Sequence, residues 1–435
     1  MGGDPGDRPA HDGPDAVPTV SGRGLAAILD RRWFAILILC IAVLRGVSFC
    51  SSLERNFDPQ DFSVFYCSGL LLRSGQNPYD ADLLPLARRL GLEKGYVLHA
   101  NNPPTLLLCM VPLTLLSPHR AYWAWQALNA AALAASIFLL FAPRYSGLSG
   151  NLALSLAAFA ILYPPVGNAF ALAQSKILLL LTLAATLRCM RCGRDSIAGL
   201  LLAMAGLCWL FPLLLGLYVV LKRRWRMLGY LIAGLAIGGL ATVALEGVRT
   251  SFSFLTSIDF LTSRTWLSSN SNLSLEAFLS RIFWSIFGEA SSPARELARG
   301  VFVRGADLAV LYIIVRATPL GAGEDRDWRT LSLWIAASVI LSPTAWFHYL
   351  LLMLIPFAQM ASAANCGSIS HRAPWMAAAS YLLIGLIGNV LAGVPPHSMA
   401  FNALRELEFA CLVMAFVAAY WFATDQRVLV ESSVG

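Results

Sequence analysis

Charge is scarce in this chain. Lys, Arg, Asp and Glu make up only 13% of its 435 residues, while 57% are hydrophobic and the mean hydropathy is +0.64. A soluble domain carries roughly one-quarter charged residues, so a water-soluble globular fold is excluded. Nucleotide-binding signatures are also missing. There is no GxxxxGK[ST] and no Gly-rich loop between a strand and a helix, which leaves ATP or a nucleotide sugar without an evident site. Cysteine is present but unclustered: most of the nine lie within apolar runs, where a thiol acts as a small hydrophobe. Cys189-x-x-Cys192 has no second pair, so a zinc or redox centre is not indicated. Cys50 and Cys67 could share a water-facing side, which leaves a disulfide between them open. No internal repeat is evident, which weighs against a transporter built from two similar halves.

What is present is a series of apolar runs recurring after residue 33; a run of about 20 residues can cross a bilayer as a helix, where every backbone polar group must be satisfied internally. The Gly/Pro/Asp-rich residues 1–22 differ, and read as a disordered cytoplasmic tail. Arg31-Arg32 then precedes Trp33–Cys50, a first span that no small-residue cleavage site clearly ends, so it is not read as a signal peptide. The net charge of +7 lies in short inter-helix loops rather than on one continuous face, which reports orientation rather than nucleic-acid binding.

The positive-inside rule puts the N-terminus in the cytoplasm and a first loop, 51–118, outside. In that loop residues 82–90 pattern as a short amphipathic helix lying on the bilayer surface. Residues 103–116 are short for a span and broken by Pro112; read as re-entrant, they place Arg144 and the Arg188–Arg194 loop inside with the other basic loops. The remaining spans are residues 121–141, 152–163, 177–190, 197–209, 211–221, 228–245, 301–315, 331–341, 349–361, 374–391 and 407–422, about twelve with the first. A second outer loop covers 246–300. The chain thus reads as an all-α polytopic membrane protein, with residues 23–435 forming one transmembrane domain and both termini cytoplasmic.

Under this topology three polar clusters project to one outer face: Asp61 with Tyr66, Gln174 with Lys176, and Ser342–His348. Asp61 read alone is a solvated loop acid; held near the interface behind an aromatic run, it can accept a proton from a hydroxyl nucleophile. Asp58 competes with it on spacing. His348 opens an apolar span and is either an interface anchor or a group able to neutralise a departing phosphate. Lys176 either snorkels to water or meets phosphate at the membrane surface. Asn272 and Ser274, followed by Arg281, form either a polar turn before a helix or a site for sugar hydroxyls and phosphate.

At these residues the chain resembles glycosyltransferase family 87, the polyprenyl-phosphate-mannose-dependent, mannosyltransferase-like enzymes of the GT-C superfamily. The resemblance rests on order and spacing. It runs through Asp61 and Tyr66, Gly75-Gln-Asn-Pro-Tyr79, Pro103-Pro104, Ala173-Gln174-Ser-Lys176, Asn272-Leu-Ser-Leu275 with Arg281, and Ser342-Pro343 leading to Trp346-x-His348. The chain departs from the family pattern at Lys176, where an Asn is usual, and at Phe347 and Tyr349, where polar neighbours are common. Trp209 also stands near where a Lys often precedes the Pro corresponding to Pro212.

The resemblance implies a GT-C type fold at the bacterial inner (plasma) membrane, with a site on the extracytoplasmic side. Asp61 would be the catalytic base and His348 its neighbour. Tyr66, Asn77, Tyr79, Gln174, Lys176, Asn272, Ser274, Arg281 and Trp346 would bind substrate. The substrates would be a polyprenyl-phosphate hexose, mannose first among candidates, and a lipid or glycolipid acceptor, joined with inversion. No cofactor is required, because cationic side chains can carry the leaving-group charge, although acids in the outer loops leave a divalent metal open. Nucleic acid is not an expected partner. The rival readings are a lipid-linked-sugar flippase or small-solute transporter, which favours ionisable sites at the bilayer midplane, and a non-enzymatic assembly subunit.

Overall fold

The computed structural model describes residues 27–55, 59–92, 99–261, 263–288, 292–320, 324–391, 393–395 and 398–425. The expected tail, residues 1–22, and Asp58 lie outside these. Every regular element among the described residues is helical, as an apolar chain in lipid requires.

The first half of the chain holds α1 (Arg32–Arg55), α2 (Gln60–Arg73), α3 (Leu84–Arg89) and α4 (Pro104–Met110), which continues as a tighter turn over Val111–Leu115. It goes on with α5 (Pro118–Phe141), α6 (Gly150–Leu162), α7 (Pro164–Ala171), α8 (Lys176–Arg191), α9 (Asp195–Trp209), α10 (Leu214–Leu221) and α11 (Trp225–Glu246). The second half adds α12 (Val248–Leu261), α13 (Arg264–Ser268), α14 (Leu275–Phe287), α15 (Pro293–Arg316) and α16 (Glu324–Ile340). A 3-10 turn, Phe347–Met353, runs into α17 (Leu354–Asn365), and α18 (Arg372–Leu391) and α19 (Met399–Thr424) follow.

Six of these are long and apolar enough to cross a membrane: α1, α5, α11, the 347–365 segment, α18 and α19. A seventh results if α6 and α7, bent by 46° at Pro164, are one span. The expected count of about twelve is therefore not reached by length and composition. The reasons are local. Helices α8, α9 and α10 are short, and α15 carries Arg295, Glu296, Arg299, Arg304 and Asp307. A helix does form within residues 82–90, as α3, with Ala87 buried. The described part of residues 246–300, expected as an outer loop, is largely helical. Cys50 and Cys67 are both free thiols, one exposed and one buried, so the disulfide left open above does not form.

Helix α9 and residues 211–221 form a hairpin. Leu210 makes the reversal with a left-handed backbone (φ 58°), and Arg224, just past α10, returns to Asp195 at the start of α9 (2.7 Å). Helix α11 packs on α9 at close range: a Cβ on Gly199 would lie 2.4 Å from the Met227 carbonyl, and one on Gly234 would lie 2.7 Å from the Ala203 Cβ. Small residues at a helix crossing let backbones approach this way where lipid supplies no hydrophobic drive between helices.

The molecule has two polar ends. At one, Arg224 bridges Asp195 and Asp327 (2.7 and 2.8 Å), and Lys222 meets Asp327 (3.1 Å) and the Pro319 carbonyl (2.8 Å). Arg191 donates to Gln359 (2.7 Å), Arg329 to the Ser368 carbonyl (3.2 Å), and the Ser370 amide to Asp425 (2.6 Å). The loops holding Arg144, Arg188–Arg194 and Lys222–Arg226 share this end, with Arg144 and Arg188 both over the Tyr145 ring (4.6 and 4.0 Å). The other end gathers Asp61, residues 74–116, α12 to α14 and the 342–346 turn. Tyr79 donates to the Asn102 carbonyl (2.6 Å), Tyr66 to the Leu116 carbonyl (2.8 Å), and Arg73 to the Thr114 carbonyl (2.6 Å). These bonds hold both sides of the 103–116 segment at this second end.

Candidate active site

Asp61 stands in the first turn of α2, immediately after Pro59, whose carbonyl accepts from the Ser63 amide (2.7 Å). A proline just before the helix leaves no amide to be satisfied and presets the backbone. The Asp61 carboxylate accepts a hydrogen bond from the Gln174 amide.

Gln174 is held by its neighbours on every side. Ala173 adopts a left-handed backbone (φ 50°), a conformation that favours glycine. The turn is pinned by the Trp125 indole donating to the Ala173 carbonyl (2.8 Å) and by the Gln126 amide donating to the Phe170 carbonyl (2.8 Å). The Trp209 indole donates to the Ser175 hydroxyl (3.0 Å), fixing the start of α8.

Lys176 is the next residue, 5% exposed, its ammonium 4.8 Å from the centre of the Tyr349 ring. That ring stacks in turn on Phe211 (5.4 Å). The Lys176 charge acts on both Asp61 and His348. His348 is 4% exposed and its Nδ1 has no hydrogen-bond partner. An acid, an amide, an ammonium and an imidazole from three separate stretches of chain thus meet, because α7 and α8 both pack on the 3-10 turn that carries His348. Removal of Asp61 from bulk water raises its carboxyl above the usual carboxylate range; the Gln174 bond and the Lys176 charge oppose this.

The turn leading to His348 is clamped from α13 and α14. Asn272 is fully buried; its Oδ1 accepts from the amides of Ala345 (2.9 Å) and Ser274 (3.2 Å), and its Nδ2 donates to the carbonyls of Trp266 and Pro343 (both 3.3 Å). The Leu273 amide donates to the Ala345 carbonyl (2.6 Å) and the Ser274 hydroxyl to the Pro343 carbonyl (3.2 Å). Arg281 donates to the carbonyls of Ser269 (3.0 Å) and Asn272 (3.1 Å) and pairs with Glu406 (2.8 Å). Trp346 sits edge-on to Trp266 (5.1 Å).

Of the residues expected to bind substrate, the structure therefore brings Gln174 and Lys176 to Asp61 and His348. Asn272, Ser274 and Arg281 bond to protein groups around the turn instead. Tyr66 is buried with its hydroxyl on Leu116, and Tyr79 is bonded to Asn102. Asn77 donates to Asp80 (2.9 Å) and Ser253 (2.8 Å) and accepts from the Tyr79 amide (3.1 Å), ordering the loop beyond α2. Sequence reasoning passed over Tyr349 as a flanking departure and missed Trp125 and Gln126 altogether. The signal for the last was an amide inside an apolar run, where lipid does not tolerate an idle polar group. Among the described residues no three His, Cys, Asp or Glu side chains are arranged to hold a metal ion.

Fold and site define a multi-pass, all-helical membrane protein with a carboxylate, an ammonium and an imidazole gathered at one end. The profile of glycosyltransferase family 87 matches residues 101–343, more than half of the chain, and the protein belongs to that family. Comparison with curated proteins gives no match. The matched region contains Gln174, Lys176, Asn272 and Arg281; Asp61 lies before it and His348 just after it.

Proposed function

We propose that this membrane glycosyltransferase moves a hexose, with mannose the leading candidate, from a polyprenyl-phosphate carrier to a hydroxyl of a lipid or glycolipid. The end bearing Asp61 faces the extracytoplasmic side, since the opposite end collects the basic loops. The observation that carries the reading is the meeting of Asp61, Gln174, Lys176 and His348.

In this mechanism Asp61 takes the proton from the acceptor hydroxyl. The oxygen attacks the anomeric carbon, and the bond from that carbon to the lipid-phosphate oxygen breaks on the opposite face of the sugar. One displacement inverts the centre. The departing phosphate gains negative charge, and Lys176 with His348 supplies the compensating groups, a form of electrostatic stabilisation that is strongest away from water. Gln174 aims the carboxylate, and the Lys176 charge opposes the loss of its ionised form on burial. Asn272 and Arg281 act indirectly, by fixing the turn from which His348 projects.

The test is to incubate the purified protein with several polyprenyl-phosphate sugars and native membrane-lipid extract, and to follow products by mass spectrometry. A hexose-sized mass gain on a lipid is expected with one lipid-linked donor. Transfer from a soluble nucleotide sugar without any lipid carrier would overturn the reading.

A further inference from the structure

Two thiols far apart in sequence meet beside the active site. Cys109, near the end of α4, and Cys208, near the end of α9, come together where these helices pack, and the two side chains share a hydrogen bond. Both are free thiols in this structure, Cys109 exposed and Cys208 buried.

Cys109 lies one helical turn beyond Thr105, on the same face of α4. Thr105 bonds the Thr242 hydroxyl of α11 (2.9 Å), so this face carries one polar link to α11 and one to α9. Helix α4 also rests on α2, the helix of Asp61: a Cβ on Gly69 would lie 3.3 Å from the Met110 Cβ. On the other side of the thiol contact, Cys208 is followed by Trp209, whose indole donates to Ser175 (3.0 Å), the residue between Gln174 and Lys176. The pair therefore joins the supports of both halves of the site, α2 with Asp61 and the start of α8 with Lys176.

The compartment decides what such a pair does. In the orientation proposed above it stands at the level of the active site on the extracytoplasmic side, where thiols meet disulfide carriers rather than a reducing pool. Cys109 is the exposed member and the one an oxidant reaches first.

We infer that Cys109 and Cys208 form a disulfide that clamps α4 to α9. The oxidant is a protein disulfide of the thiol–disulfide oxidoreductase class. The Cys109 thiolate attacks it, giving a mixed disulfide and releasing one carrier thiolate; the Cys208 thiolate then attacks the Cys109 sulfur, and the second carrier thiolate leaves. Two thiols are oxidised, the carrier disulfide is reduced, and the two thiol protons pass to the carrier as its dithiol. The new bond draws the sulfurs in to about 2.0 Å. It closes a loop of about 100 residues, which restricts the unfolded chain. The bond follows from the meeting of the thiols and the orientation; its effect on transfer rests on the transferase reading.

The test uses the full-length protein, with free thiols capped by N-ethylmaleimide before the membranes are solubilised and peptides mapped by mass spectrometry without reduction. A linked pair of peptides carrying residues 109 and 208 is expected, and both residues should accept the label once reduced. Reduction should lower the melting temperature by about 5 °C. Cys109→Ser should show the lower value with or without reductant. In transfer assays, reduction should lower the kcat of wild type several-fold and leave that of Cys109→Ser unmoved.

Capped thiols at both residues of the unreduced protein, or a bond at Cys189–Cys192 in place of this one, would overturn the inference; the wild-type map decides this without any substitution. A mapped bond whose reduction moves neither melting temperature nor kcat would overturn the clamp. A protein that transfers no sugar from any donor, with the bond still mapped, would refute the transferase reading and leave the disulfide in place.

Discussion

Arg224 and Lys176 are both cations sunk among helices, and their surroundings could hardly differ more. Arg224 lies between two carboxylates at hydrogen-bonding distance, and the neighbouring Lys222 shares one of them. Lys176 has its ammonium against an aromatic face and acts on Asp61 and His348 through their common environment. The first arrangement is closed: charges cancel and loops are tied. The second is open, with an imidazole nitrogen left without a partner. Buried polar groups are normally satisfied, and the exceptions call for a ligand or a reaction. The difference separates an end built to hold helices together from an end built to receive something.

Substitutions should split along the same line. The largest effect is expected for Asp61→Asn, which should lower the transfer rate by about 10²- to 10⁴-fold, the usual worth of a general base, with an unchanged melting temperature. Asp327→Asn should do the reverse. It leaves the neighbouring cations short of a counter-charge and should cost about 3–5 kcal/mol, read as a fall in Tm, while the protein that remains folded keeps its half-saturating donor concentration.

Asn272→Ala sits between these extremes, because it frees the Ala345 amide and loosens the turn before His348. A loss of about 1–3 kcal/mol in stability should accompany a drop in kcat that exceeds any change in KM. The pH dependence is sharper still as a probe of the open end. Asp61 has a raised carboxyl, so the ionised base, and the rate with it, should be lost as pH falls through that raised value. Lys176 opposes the rise; Lys176→Gln should therefore move the acid limb of the pH–rate profile to higher pH. The smallest effect concerns Ala173, whose left-handed backbone costs about 1 kcal/mol in a residue with a Cβ. Ala173→Gly should raise stability by about that amount and preserve transfer.

Much of the open end was legible in the sequence, because its members are polar residues placed where apolar runs begin or end. Gln174 precedes α8 and Lys176 opens it, His348 lies at the start of the segment leading to α17, and Asp61 follows α1 closely. Asn272, Ser274 and Arg281 were visible for the same reason, but not their partners. Asn272 and Ser274 bond to backbone some 70 residues away at Pro343 and Ala345, and Arg281 pairs with Glu406, which composition cannot reveal. The count of about twelve spans is not reproduced by helix length: a helix such as α9 is apolar enough to belong in lipid yet too short to cross alone, and the Asp195–Arg224 pair shows its hairpin.

The central claim is that Asp61 and His348 flank one reacting sugar. Its most direct test is an experimental density map of the Asp61→Asn protein saturated with a polyprenyl-phosphate hexose. The account predicts the anomeric carbon between residues 61 and 348, with the phosphate against Lys176. Donor density lying instead at the Arg224–Asp327 end would contradict it.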